Sequence, residues 1–332
     1  MTSQLTAFLA RRWCVPASSL GVEVWPLYGG LESVVARARI TSAQVAAGVP
    51  RDVVVKQLSG AFAREGDVYE ALWSHLERPP AVQMFGQDVC GESTVLYLEH
   101  AASFSPWPWS DTALSASVCR ALAQLHDAPG LSGPVFSWNY DEELIRSAED
   151  TLDLAATARN SLGRRVWRRL GDLRRVVEAL PRIRRRLLSD GSTVIHGDMH
   201  PGNVILRRSE ESLDVVLVDW ARARLGSPLE DVASWLHSLG CWEPQARKRH
   251  DTLMRAYLEA RRVPCAFNSE LRVDYWFASV SNGLSGAIRY HLAVSADSAA
   301  PSSAQVNSGV ALIAWERVMR QAAALLKTNL DR

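Results

Sequence analysis

A chain of 332 residues is long enough for two lobes with separate cores, and 47% apolar with 22% charged residues is ordinary globular composition. The formal net charge of +1 speaks against a nucleic-acid binder or a polybasic membrane protein. No segment approaches eighteen uncharged apolar residues, and the first apolar run, Leu5 to Ala10, is broken at once by Arg11 and Arg12, so neither a membrane span nor an export signal is expected and the setting read from the sequence is cytoplasmic.

Residues 4–13 read as a leading helix, and Val22 to Leu27 as a weakly alternating strand running into a Gly29-Gly30 turn. Cys14 is the first of five cysteines, odd in number and without C-x-x-C spacing, which read as buried thiols in place of a disulfide or zinc framework. Val34 to Ile40 alternates apolar and basic residues as a half-buried strand does, and 42–50 is a polar hairpin connection. The β-branched run Asp52 to Leu58 predicts a strand with Lys56 inside it. Only three of the 37 basic residues are lysines, so a lysine within an apolar strand points to a specific task. Ala63 to Leu76 has helical spacing and stops before Pro79-Pro80; Val82 to Phe85 and Ser93 to Leu98 read as two further strands. These elements predict a small antiparallel lobe with one main helix, residues 1–101.

The remainder, 102–332, reads as a larger, mainly helical lobe. Ser105 to Ser110 is an aromatic connector carrying Trp107 and Trp109, and Asp111 caps a helix reaching His126. A charged helical subdomain spans about 131–190, helices return over 228–332, residues 295–304 read as a loop, and a last helix covers about 311–326. The fold class is therefore α+β with two lobes.

Chemistry concentrates in one block. Asp198 and Asn203 lie five positions apart in His196-Gly197-Asp198-Met199-His200-Pro201-Gly202-Asn203, and Asp219 follows sixteen positions later at the end of the apolar run Val215 to Val218. A carboxylate for an acceptor hydroxyl, with an amide and a second carboxylate as hard oxygen ligands for Mg²⁺, is the set that phosphoryl transfer needs. An isolated D-x-x-x-x-N reads as a capped surface turn; the surrounding histidines and Asp219 take it out of that class.

These residues resemble the aminoglycoside phosphotransferase and choline kinase-like superfamily, relatives of the protein kinases. The family's H-G-D-x-H-x-x-N loop is matched by His196, Gly197, Asp198, His200 and Asn203, its metal-binding Asp by Asp219 before Trp220, and its G-x-P-x-x-D continuation by Gly226, Pro228 and Asp231. The resemblance implies a two-lobed kinase-like fold in which Asp231 buttresses the catalytic loop, with His196 and His200 in support. It implies that Lys56 grips the α- and β-phosphates and that Glu65 pairs with it, Glu70 being the weaker candidate. It also implies that Ser33, in a nucleotide-covering hairpin lacking the G-x-G-x-x-G of protein kinases, meets phosphate. Glu99 to Ala101 falls at the family's hinge, where backbone groups meet the purine of ATP, GTP being the alternative.

The reaction implied is ATP- and Mg²⁺-dependent phosphorylation of a small-molecule hydroxyl, by a monomer or homodimer with no nucleic-acid or membrane partner. Candidate acceptor residues are Asp141, Glu142, Trp107, Tyr275 and Trp276. The acceptor implied is an antibiotic, aminoglycoside-like or another glycosylated or nucleoside-type natural product, modified for resistance or self-protection. A stretch with eleven arginines between Arg159 and Arg186 contrasts with the acidic lining that a polycationic aminoglycoside calls for and favours the less charged of these. The alternatives are a metabolic kinase of choline, methylthioribose, homoserine or sugar type, and a non-catalytic nucleotide-binding regulator.

Overall fold

The computed structural model describes residues 2–27, 33–41, 48–102, 110–162, 167, 169–208, 213–242, 244–262 and 267–329. Helix α1 (Thr2–Trp13) leads into strands β1 (Val22–Pro26), β2 (Ser33–Ile40) and β3 (Asp52–Ser59). Helix α2 (Glu65–His75) follows a short 3₁₀ turn, and β4 (Met84–Cys90) and β5 (Ser93–Glu99) complete an antiparallel sheet of order β1-β2-β3-β5-β4. Next come α3 (Thr112–His126), α4 (Tyr140–Leu162), α5 (Leu170–Leu187) and β6 (Thr193–Ile195), then a hairpin of β7 (Val204–Arg208) and β8 (Leu213–Leu217). Strand β9 (Arg224–Gly226) pairs with β6 and leads into helices α6 (Pro228–Trp242), α7 (His250–Ala260), α8 (Ser269–Asn282), α9 (Ile288–Ala296) and α10 (Ser302–Asn329).

The chain divides into two compact units, 1–107 with 203–223, and 108–202 with 224–332. The sequence reading assigns 203–223 to the larger lobe. By its contacts the hairpin groups with the first unit: the Leu217 amide donates to the Pro80 carbonyl (2.8 Å) and Arg207 on β7 pairs with Glu99 at the end of β5 (3.1 Å).

In the first unit the alternation of β2, β3 and β5 sorts side chains onto two faces. Ala38, Ile40, Val53, Val55, Val95 and Tyr97 pack beneath Leu5, Phe8 and Leu9 of α1. The opposite face carries Lys56, opposite Val35 on one side and Leu96 on the other. In the second unit α3 starts as predicted: the Asp111 carboxylate accepts from the Ala113 and Leu114 amides at 2.8 and 3.1 Å.

Three expectations change. Strand β4 begins at Met84, two residues later than the apolar run suggests, because the chain first meets the hairpin at Pro80 and Ala81. Helix α10 starts at Ser302, since Pro301 precedes a helix start readily and the small residues after it are compatible with helix. Cys14 and Cys90 are exposed, whereas Cys119 is buried as expected; apolar neighbours in sequence do not guarantee cover at a strand end or a helix terminus. No helix among the described residues is long and apolar enough to cross a membrane.

Candidate active site

The first unit gathers one cation and two carboxylates. Lys56 on β3 donates from Nζ to Glu65 Oε2 at 2.6 Å and to Asp219 Oδ1 at 2.8 Å. Glu65 opens α2 and is fully buried, and Lys56 is 5% exposed, so a short strand-to-helix step brings both groups out of water. The second oxygen of Glu65 accepts from the Trp220 amide at 3.2 Å. That contact depends on the backbone at Asp219, which stands in the left-handed region (φ 66°, ψ 63°), a conformation Asp tolerates better than most side chains. The turn lets Asp219 meet Lys56 with its side chain and the next amide meet Glu65. The Val218 amide donates to the Asn203 carbonyl at 3.0 Å, so the strand ends bearing Asn203 and Asp219 are stitched together one residue from the carboxylate.

Two carboxylates sharing one ammonium leave an excess of negative charge. Burial pushes the Glu65 carboxyl up to about 7, with Asp219 adding to the rise while Lys56 and the Trp220 amide hold it back. Burial disfavours the Lys56 ammonium, but the two carboxylates outweigh it and raise its pKa. Asp219 keeps 37% of its side chain exposed. An exposed oxygen ligand on a net-negative cluster suits a hard divalent cation, and the Asn203 side chain supplies the matching donor type.

The second unit holds the Asp198 loop from behind. Asp231, at the start of α6, is completely buried, and its Oδ2 and Oδ1 accept from the His196 and Gly197 amides at 2.7 and 2.8 Å. Oδ2 also meets His126 Nε2 at 3.2 Å. Arg261 donates to the Tyr257 hydroxyl (2.7 Å), which meets His126 Nδ1 at 2.9 Å. The Tyr257 proton therefore points at Nδ1, and His126 Nε2–H points at Asp231. Burial alone would raise the Asp231 carboxyl, but the His126 bond, the neighbouring His126 and His196 rings and the Gly197 amide bring it below the usual range.

Gly197 adopts φ 82°, which an L side chain rarely takes, so the chain can turn between the two anchored amides and Asp198. The Asp198 amide meets His196 Nδ1 at 3.3 Å. Asp198 and His200 are each 41% exposed in their side chains, with His200 Nε2 3.8 Å from Asp198 Oδ2. The Gly202 amide donates to His200 Nδ1 at 3.0 Å, which places the ring proton on Nε2, toward Asp198. A second support reaches the Met199 carbonyl, which accepts from Ser234 Oγ at 2.7 Å.

Sequence reasoning missed a buried ion network beside this loop. Glu230 Oε1 accepts from Arg184 Nη1 (2.7 Å), Arg224 Nη2 (3.2 Å) and Ser281 Oγ (2.6 Å), and Arg184 Nε reaches Asp141 Oδ1 at 2.8 Å. Burial opposes ionisation of Glu230, yet the two arginines bring its carboxyl below the usual range. The Arg224 guanidinium lies 3.5 Å from the Tyr140 ring centroid. A small pocket bordered by Tyr140, Gly197, Arg224, Ser234, Asn282 and Ser285 adjoins it. Arg184 lies 43 and 46 residues from its two partners, and Arg224, six residues from Glu230, sits on a different element, so no single helix or strand spacing pairs them.

The remaining candidates separate. Ser33 opens β2 opposite Leu58. The Glu99 carboxylate is taken by the Gln83 amide (3.1 Å) and Arg207. Asp141 is tied to Arg184, and Glu142 is exposed in the first turn of α4. Trp107 and the Gly29-Gly30 turn lie outside the described residues. Tyr275 is 6% exposed, and its hydroxyl meets His250 Nδ1 (3.2 Å) and His237 Nε2 (3.3 Å), which places it in the interior of the second unit. Trp276 is half-buried beside it, ring centroids 5.7 Å apart.

Residues 44–267 match the APH phosphotransferase enzyme family. No curated protein matches the sequence. Among solved structures, the chain is similar to an ethanolamine kinase from Plasmodium vivax (TM-score 0.60, 12% identity, 92% of this chain and 85% of that one). It is also similar to a choline kinase from Cryptosporidium parvum (TM-score 0.60, 12% identity, 100% of both chains). A third similar structure is an aminoglycoside phosphotransferase in ternary complex with AMP-PNP and hygromycin B (TM-score 0.56, 14% identity, 95% of this chain and 98% of that one). At these identities the likeness establishes the two-lobed kinase-like fold.

Proposed function

This chain belongs to the phosphotransferase enzyme family, and from that premise we propose that it moves the γ-phosphoryl group of ATP to a hydroxyl of a small molecule. The observation that carries the reading is the Lys56–Glu65–Asp219 cluster, an ammonium held ready for phosphate by one buried carboxylate beside a second that faces solvent. Lys56 would bind α- and β-phosphate oxygens. Asp219 and Asn203 would hold Mg²⁺, which when bound neutralises charge on the phosphates. Asp198 would accept the hydrogen bond of the acceptor hydroxyl and take its proton as the new P–O bond forms and the bond from the γ-phosphorus to the departing ADP oxygen breaks. The Asp231 carboxylate would keep the loop still while this happens, and His200, with Nε2 3.8 Å from Asp198 Oδ2, would close to a hydrogen bond that orients the Asp198 carboxylate.

The acceptor we propose is an antibiotic-like natural product of limited positive charge, modified for resistance or self-protection in the cytoplasm. Supporting this, Glu230 is buried and paired with Arg184 and Arg224, and Asp141 shares Arg184, which weakens the pull of this region on a polycation. The second reading is a metabolic small-molecule kinase, favoured by the equal similarity to choline and ethanolamine kinases. A non-catalytic regulator fits poorly with an intact Lys56, Asp198, Asn203 and Asp219.

The test is Mg²⁺-dependent ADP release measured across a library of glycosylated, nucleoside, aminoglycoside and metabolic alcohols. Stimulation by a weakly charged natural product supports the first reading and stimulation by choline-type alcohols the second. Turnover confined to polycationic aminoglycosides would sink the proposed acceptor class. ADP release with no acceptor in any class would contradict phosphotransfer itself.

A further inference from the structure

We propose that the outward face of α10 is a two-fold interface between two copies of this chain. Val306, Val310 and Ile313 are 65%, 42% and 51% exposed. Spacings of four and three residues bring them onto one line of the helix. Among the described residues no other helix exposes more than one large hydrophobic side chain. The opposite side of α10 is already committed, with Leu312, Trp315, Val318, Met319 and Leu326 buried in the second unit. A helix apolar on two sides is covered on two sides.

Gly309 sits within the outward stripe, and a Cβ added there would meet nothing. The single chain therefore gives no packing reason for a glycine that costs about 1 kcal/mol against alanine in a helix interior. Close approach of a second helix gives one.

The stripe is complementary to itself when two copies lie antiparallel. A register centred between Gly309 and Val310 sets Val306 opposite the partner subunit's Ile313, and Val310 opposite the partner subunit's Gly309, as an isologous contact requires. Large side chains then meet a small one at the centre. The same register continues the match in charge. Arg317 and Arg320 are exposed on this face, one and two turns beyond Ile313. They fall beside the partner subunit's Ser302 and the turn that precedes it, where Asp297 is exposed and Gln305 Nε2 donates to the Asp297 carbonyl at 2.7 Å. From Val306 to Arg320 the contact runs about 20 Å at 1.5 Å per residue.

Sedimentation velocity of the full chain over a concentration series decides the matter. The wild type should pass from monomer to dimer in the micromolar range, at lower concentration in low salt than in high salt. Val310→Glu should weaken the dimer at least about a hundredfold while the dilute monomer keeps its circular dichroism and melting temperature. Should that variant fold badly, the surface exchange Arg317→Glu with Arg320→Glu serves instead. It should weaken association about tenfold, and adding Asp297→Arg should recover part of the loss. A wild type that stays monomeric to about 100 μM, or a dimer indifferent to both sets of substitutions, overturns the proposal.

Discussion

Glu65 and Asp231 are both carboxylates with no exposure, yet they sit on opposite sides of their ordinary titration range. Asp231 receives two backbone amides and a histidine N–H, so its charge is satisfied by donors that belong to it alone. Glu65 shares its ammonium with Asp219 and has only one amide besides. The difference marks their tasks. Asp231 finishes a structure, and its region is complete by itself. The Glu65 cluster carries surplus negative charge next to an exposed carboxylate, and its balance improves when a cation arrives.

The largest expected effect of breaking this contrast is on the satisfied side. Asp231→Ala strands two amides and a histidine N–H, and should cost about 3 kcal/mol of stability by chemical denaturation. Hydrogen exchange should localise the loosening to His196 and Gly197. A loss under 1 kcal/mol would mean that the loop is held by other groups.

Acid should produce an effect of similar size in the same unit. Burial brings His250 down to about 4 and His237 well below its ordinary value, so the folded state favours neutral rings. Between pH 6.5 and about 4 the unfolded chain binds protons that the folded chain refuses, and stability falls as pH falls. At roughly 1.4 kcal/mol per pH unit, His250 alone contributes about 3 kcal/mol over that window. Asp231 acts in the same direction at lower pH, because its folded pKa lies below the unfolded value. Thermal melts from pH 7 to 4.5 should show the decline, and His250→Gln should flatten it.

Glu65 predicts a slope of opposite sign. Its folded pKa is raised, so the folded state keeps a proton that the unfolded chain has released, and its contribution is lost as pH rises from 4.5 through about 7. Glu65→Gln should remove that dependence, and millimolar Mg²⁺ with ADP should reduce it in the wild type. A Glu65→Gln variant with an unchanged pH slope in the first unit's hydrogen exchange would contradict the shared-ammonium account. The smallest change expected is His200→Ala, which should lower turnover about tenfold through the orientation of Asp198 and leave the melting temperature unchanged.

Much of this was legible in the chain. Strands β3 and β5 announce themselves by β-branched and apolar runs, and the cap at Asp111 by its position before a helical pattern. The rarity of lysine singled out Lys56, and the loop residues clustered in sequence because one turn carries them. What stayed hidden shares a cause. Glu230 needs Arg184 and Arg224 from two other elements, and the His237–Tyr275–His250 group assembles from α6, α8 and α7. Such pairings are decided by packing, so Arg184 reads as one more exposed arginine and Tyr275 as a candidate ligand contact. The grouping of the hairpin 203–223 with the first unit has the same origin. Its covalent neighbours lie in the second unit, whereas its hydrogen bonds go to Pro80 and Glu99.

The central claim is a division of labour: Asp198 handles the acceptor proton, and Lys56 with Asp219 handles the nucleotide. Single-turnover transfer and ADP affinity measured side by side for Asp198→Ala and Asp219→Ala test it most directly. Asp198→Ala should lose transfer by about a thousandfold or more with ADP affinity unchanged, while Asp219→Ala should lose Mg²⁺-dependent nucleotide affinity as well. Full turnover in Asp198→Ala, or equal loss of nucleotide binding in both variants, would contradict the account.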